Sequence, residues 1–158
     1  MKLVKKIIAL VLGVLMAFSF TGCIHKKGEI AVKINGVEFT SAYYACALIN
    51  AKTEAQNKVY ETLTDEEKSS GAVDYSKKKI DKKPFDEWVK DKAIENLKTI
   101  AAYKLLCKEN KLELTEEEAN NANMYASYYW SSYGYSAYFE PNGVSQATYA
   151  DYMKDTYY

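Results

Sequence analysis

One thiol in this chain is placed for covalent chemistry. Cys23 closes the stretch Phe20-Thr21-Gly22-Cys23, directly behind an apolar run from Ile7 to Phe20 that follows Met1, Lys2, Lys5 and Lys6. A cationic start, an apolar core of ~7–15 residues and a small residue before a cut describe a secretory leader, whereas a spanning helix needs ~20 apolar residues. The cut is expected between Gly22 and Cys23, which makes residues 1–22 a leader and Cys23 the new N-terminus.

The tetrad Phe20-Thr21-Gly22-Cys23 resembles a bacterial lipobox, with Phe20 where Leu is usual. In such a motif the thiol takes a diacylglyceryl thioether, and two acyl chains anchor a protein stably where one does not. The expected location is therefore extracytoplasmic, lipid-anchored at the bacterial cell membrane. The competing reading ends an ordinary signal or membrane anchor at the same four residues.

Little else in the chain supports covalent or metal chemistry. His25 is the sole histidine and sits beside the lipidation site, so neither a catalytic triad nor a histidine metal cage can be assembled. No GxGxxG, P-loop or HExxH occurs, and Gly36, Gly71, Gly134 and Gly143 each have a turn explanation. Glu116 and Glu117 belong to a helix start, where carboxylates serve the dipole and need no raised pKa. No catalytic residue, metal or cofactor is expected. Cys46 and Cys107 lie outside any CxxC pair, and two readings stand for them: one disulfide, or buried thiols that simply pack.

The tyrosines are the second candidate. The chain has 15 against five phenylalanines, most of them from Tyr125 onward. A tyrosine offers an apolar ring and a hydroxyl that must stay wet or find a partner, the combination enriched at binding surfaces. Tyr125, Tyr129, Tyr133, Tyr149 and Tyr152 are the residues expected to line a shared groove for extended polypeptide. The alternative is that each hydroxyl reaches only the rim of a small, half-wet core.

Positioning these residues falls to a few elements. After a short tether over 23–28, Ile30, Val32 and Ile34 alternate up to Asn35-Gly36, and Val37-Glu38-Phe39 resumes; this is a hairpin with a type I′ turn. Thr40 or Ser41 caps a first helix to about Thr62, its stripe Tyr44, Leu48, Ala51, Ala55 and Val59, with Phe39 as a staple. Residues 64–83 read as a solvated loop whose lysines are interleaved with acids. Pro84 opens a helix to about Glu109 with the stripe Phe85, Val89, Ala93, Leu97, Ile100 and Leu105, and Trp88 beside it is expected in the core, a ligand platform being the alternative. Thr115 and Glu118 form a capping box for a third helix to about Tyr133, with an aromatic stripe of Tyr125, Tyr129 and Tyr133. Ser145 caps a last helix carrying Tyr149, Tyr152, Met153 and Tyr157. That periodicity stops at Tyr158 without a cap, which reads as a domain of a longer chain, with a frayed natural terminus as the alternative.

Bulk properties narrow the rest. Loss of Lys2, Lys5 and Lys6 leaves 18 of the 21 basic side chains against 21 acidic ones, and there is no arginine. Nucleic-acid binding draws on clustered cations and is set aside. The remaining ~136 residues suit one ordinary core. The fold class expected is mainly α with a short N-terminal hairpin.

In this order the elements are similar to a known family. The lipobox followed by Ile30-Ala31-Val32-Lys33-Ile34-Asn35-Gly36-Val37-Glu38-Phe39-Thr40 resembles the opening of the PrsA and SurA type of extracytoplasmic foldase. Ala93-Ile94-Glu95-Asn96-Leu97-Lys98 and the run Leu105 to Glu118 resemble that family's long helix, short connector and capped next helix. The resemblance implies a SurA N-terminal-like helical chaperone domain over 29–158, with unfolded or newly exported polypeptides as partners. Two departures count. The connector usually has Gly near Lys111, and Lys or Asn in a left-handed position there costs ~1 kcal/mol. The family's parvulin-type prolyl isomerase domain needs a histidine pair, and this chain has only His25, so isomerase activity is not carried over. Two rivals stay open: the front part of a longer peptidyl-prolyl isomerase, and a surface lipoprotein that binds one dedicated ligand.

Overall fold

The computed structural model describes residues 28–70 and 73–156. The leader, Cys23, His25 and Tyr157 lie outside the described residues. The fold is mainly helical with a two-stranded antiparallel hairpin near the N-terminus.

The hairpin joins β1 (Ile30–Ile34) to β2 (Val37–Thr40). Asn35 and Gly36 have φ of 50° and 86°, the two positive values a type I′ turn demands. Val32 opposes Phe39 and Lys33 opposes Glu38, whose side chains form an ion pair at 2.9 Å. The strand period then sends Ile34 and Phe39 into the core.

Helix α1 (Ser41–Glu61) starts where Thr40 Oγ1 accepts the Tyr43 N–H at 3.2 Å. Its buried positions are Tyr43, Cys46, Ala47, Ala51, Ala55 and Val59. From Ala51 on this is the expected stripe. At the N-terminal end the buried face lies one residue earlier, leaving Tyr44 and Leu48 half-buried. The reason is that Tyr43 has partners: its ring meets Phe39 and Tyr152 at 5.3 Å each, and its hydroxyl meets Asp155.

Packing divides the described residues into two compact units. One holds the described residues up to Cys46 and from Leu97 on; the other is Ala47–Asn96. In the second unit the expected loop over 64–83 is largely folded. Thr64 and Glu67 form a capping box that starts α2 (Asp65–Ser69), a 3-10 turn covers Tyr75–Lys77, and β3 (Lys79–Ile80) pairs with β4 (Lys83–Pro84). The two turn residues are Asp81 and Lys82, with φ of 51° and 70°. An Asp-Lys turn carries no glycine signal, and among the described residues of the stretch only Ile80 is buried, so polarity concealed the structure.

Helix α3 (Phe85–Asn110) follows directly. It ends in a Schellman motif: the Leu112 N–H donates to the Cys107 carbonyl at 2.9 Å and the Lys111 N–H to Lys108 at 3.4 Å. Lys111 takes the left-handed position with φ of 52°. In the first unit the chain continues through α4 (Glu116–Ser132), α5 (Ser136–Phe139), a 3-10 turn over Glu140–Asn142, and α6 (Gln146–Asp155). Both expected caps are present. Thr115 and Glu118 bond reciprocally at the start of α4, and Ser145 Oγ accepts the Thr148 N–H at 3.2 Å. Helices α4 and α6 pack on one another.

Candidate binding face

The expected aromatic stripe of α4 is not its buried face. Ala122, Ala126 and Trp130 are buried, while Tyr125 and Tyr133 are 46 % and 60 % exposed and Tyr129 is half-buried. Successive helical residues turn by about 100°, so Tyr125, Tyr129 and Tyr133 do form one row, but a row flanking the packed face. The small side chains of Ala122 and Ala126 are what let α6 approach. Tyr149 and Tyr152 on α6 are 2 % and 3 % exposed and belong to the core. The five tyrosines therefore do not line one open groove, because α6 turns its own pair inward against α4 and Tyr43.

Ring contacts nevertheless join the two groups. Tyr129 meets Tyr128 at 6.0 Å, Tyr133 at 5.4 Å and Tyr135 at 5.5 Å. Tyr135 in turn meets Phe139 and Tyr149, and Phe139 lies 4.8 Å from Tyr149 and 6.0 Å from Trp130. An aromatic ladder thus runs from solvent to the centre of the unit. Its inner end fixes the outer rings in place, at a conformational-entropy cost confined to two χ angles per tyrosine.

Three further aromatic or apolar side chains of this segment are exposed, of which Tyr128 was expected at the edge of the stripe and Met124 and Tyr138 were not singled out. Met124 and Tyr128 on α4 are 57 % and 52 % exposed, and Tyr138 stands open on α5. Residues 119–139 carry no charged side chain at all, between Glu116-Glu117-Glu118 on one side and Glu140 on the other. In a chain that is 27 % charged, this gap was the signal available from sequence. Apart from Met124, Trp130, Gly134 and Phe139, the segment is tyrosine, asparagine, serine and alanine, the mixture that makes adaptable neutral contact surfaces.

The electrostatics give no support for acid-base chemistry here. Burial raises the Tyr149 hydroxyl above its usual range, and the neighbouring Tyr135 adds to the shift. Burial and then the hydrogen bond to Asp155 raise Tyr43 in the same direction. The buried Cys46 thiol is pushed up to about 12, chiefly by desolvation, and both Cys46 and Cys107 are free. Thiolate chemistry at Cys46 is suppressed. Among the described residues no group of His, Cys, Asp and Glu could hold a metal ion, and no helix is long and apolar enough to cross a membrane.

No family model, curated protein or solved structure matches this chain.

Proposed function

We propose that the protein is a lipid-anchored extracytoplasmic chaperone module that binds unfolded exported polypeptides through the outer face of α4. The observation that carries this reading is the exposure of Met124, Tyr125, Tyr128 and Tyr133 on a charge-free segment whose opposite side is packed. Exposed apolar groups gathered on one element mark interaction sites more often than isolated ones do. Tyr125, Tyr129 and Tyr133 contact the client in this reading, and Tyr149 and Tyr152 support them from the core. The order of hairpin, capped helix, long helix and capped helix supports the finer assignment to a SurA N-terminal-like domain. The sequence around Cys23 supports the anchor.

The test is suppression of aggregation of a chemically unfolded exported protein, added at substoichiometric to equimolar ratios. The wild type delays aggregation, and a Tyr125→Ser, Tyr128→Ser, Tyr133→Ser triple variant with unchanged circular dichroism loses most of that effect. Equal suppression by the triple variant overturns the assignment of the face. Metabolic labelling with a fatty-acid analogue that marks the wild type and not Cys23→Ala checks the anchor.

A further inference from the structure

Within the unit Ala47–Asn96, an open cleft of about 470 Å³ is lined by α1, the β3–β4 turn and the first turns of α3. Its size falls in the ~300–1,000 Å³ range of small-molecule sites. Three lysines and four carboxylates surround a single aromatic ring, Trp88. Trp88 was expected in the core; it is half-buried and forms part of the cleft lining instead. We propose that this cleft binds a neutral sugar ring, stacked on Trp88 and hydrogen-bonded by Lys92, Glu54 and Asp81.

The first argument is charge. The charged groups largely pair among themselves, Lys83 with Asp91 at 2.5 Å and Lys92 with Glu95 and Glu54 at 3.3 and 3.8 Å. A phosphorylated ligand would meet four carboxylates and a cationic one three ammonium groups, so neither sign of charge is favoured. A polyhydroxylated neutral ring has no such conflict. Its hydroxyls donate to carboxylates and accept from ammonium groups in the same encounter.

The second argument is unused donor capacity. Charge-assisted N–H···O bonds measure about 2.7–2.9 Å, and both contacts of the Lys92 ammonium are longer. Its side chain is 26 % exposed and lines the cleft, where a ligand can reach it. A ligand oxygen inserted beside Lys92 completes what the two carboxylates leave open.

The third argument is the ring itself. Lys58 Nζ lies 5.8 Å from the Trp88 ring centroid, a cation–π contact made by an exposed, flexible side chain. Such a contact at an exposed site is worth only about 0.5–1 kcal/mol by itself. The C–H face of a pyranose can therefore displace Lys58 and cover the indole, while the freed ammonium remains near to bond a hydroxyl.

The cleft and the α4 face lie in different units, so this inference stands apart from the chaperone reading. It is tested on the detergent-solubilised full-length protein by following the two indole N–H resonances, Trp130 serving as the internal reference. Chitotetraose and cellotetraose are the neutral probes, and an oligogalacturonate and tetralysine are the charged controls. At least one neutral probe is expected to shift the Trp88 resonance saturably, with Kd on the order of 1 mM, and to leave Trp130 in place. Lys92→Met and Glu54→Gln, each with unchanged circular dichroism, weaken binding at least about tenfold. The proposal is overturned if neither tetrasaccharide shifts Trp88, if a charged control binds as well, or if Lys92→Met binds like the wild type.

Discussion

The Tyr43 hydroxyl donates to Asp155 Oδ2 at 2.6 Å, and the same oxygen accepts the Lys104 ammonium at 2.6 Å. One carboxylate thus holds the last helix to residues far away in the chain. Tyr43→Phe removes one hydrogen bond and leaves the ion pair, for a loss of about 1 kcal/mol; Asp155→Ala strips two donors of their partner and costs about 2–3 kcal/mol. Urea unfolding monitored by circular dichroism checks the order, and equal losses would show that the carboxylate does not act as the shared acceptor.

Phe139 and Tyr133 separate core from surface within one aromatic ladder. Phe139 is 1 % exposed and touches Trp130, Tyr135 and Tyr149. Phe139→Ala costs about 3–5 kcal/mol, and Tyr133→Ala, at an exposed position, less than about 0.5 kcal/mol. Thermal melts of the two variants measure the contrast.

Lys111 occupies a left-handed position that glycine fills without strain. The sister motif at the end of the Glu140–Asn142 turn uses Gly143, with φ of 75°. Lys111→Gly is therefore expected to stabilise the protein by about 0.5–1 kcal/mol, an uncommon sign for a glycine substitution. A lower midpoint in urea would count against the left-handed geometry.

The Glu118 carboxylate accepts the backbone N–H and the hydroxyl of Thr115, both at 2.8 Å. These bonds hold its pKa below the usual carboxylate range, the backbone bond first. A depressed folded-state pKa contributes stability that is present above the unfolded pKa and lost as pH falls through the folded one. The stability gap between wild type and Glu118→Gln should be widest near neutrality and shrink in acid. A pH series of urea midpoints reads it.

Cys46 is buried and its thiol held protonated, while Cys107 is half-exposed. In a Cys23→Ser chain a maleimide should label Cys107 first and Cys46 only on denaturation. Prompt labelling of both in the native protein would contradict the packing of α1.

The residues that made the fold legible were those whose local chemistry admits few alternatives. Asn35-Gly36, the Thr115 and Glu118 pair, and Ser145 each named a turn or a cap, and each is where the sequence implied. Ala93, Leu97 and Ile100 set the long helix through unbroken apolar spacing. Tyrosine was the misleading residue type, because its ring satisfies a helical period whether it faces the core or water; Tyr149 went in, Tyr133 stayed out, and spacing alone treats them alike. Alanine carried the missing information, since Ala122 and Ala126 mark close helix approach that a hydropathy pattern underrates. The hairpin over Asp81 and Lys82 escaped notice for want of glycine, and Trp88 was assigned by bulk to a core that it only borders.

The ring-to-ring spacings from Tyr128 inward have an optical consequence. Trp130 lies 5.9 Å from Tyr149 and shares the ladder with the solvent-facing tyrosines. At such distances excited-state energy passes from tyrosine to tryptophan, and coupled transitions give the near-ultraviolet dichroism its shape. The protein therefore contains its own reporter: whatever settles on the outer rings is registered in the emission and ellipticity of the inner ones, without an attached dye.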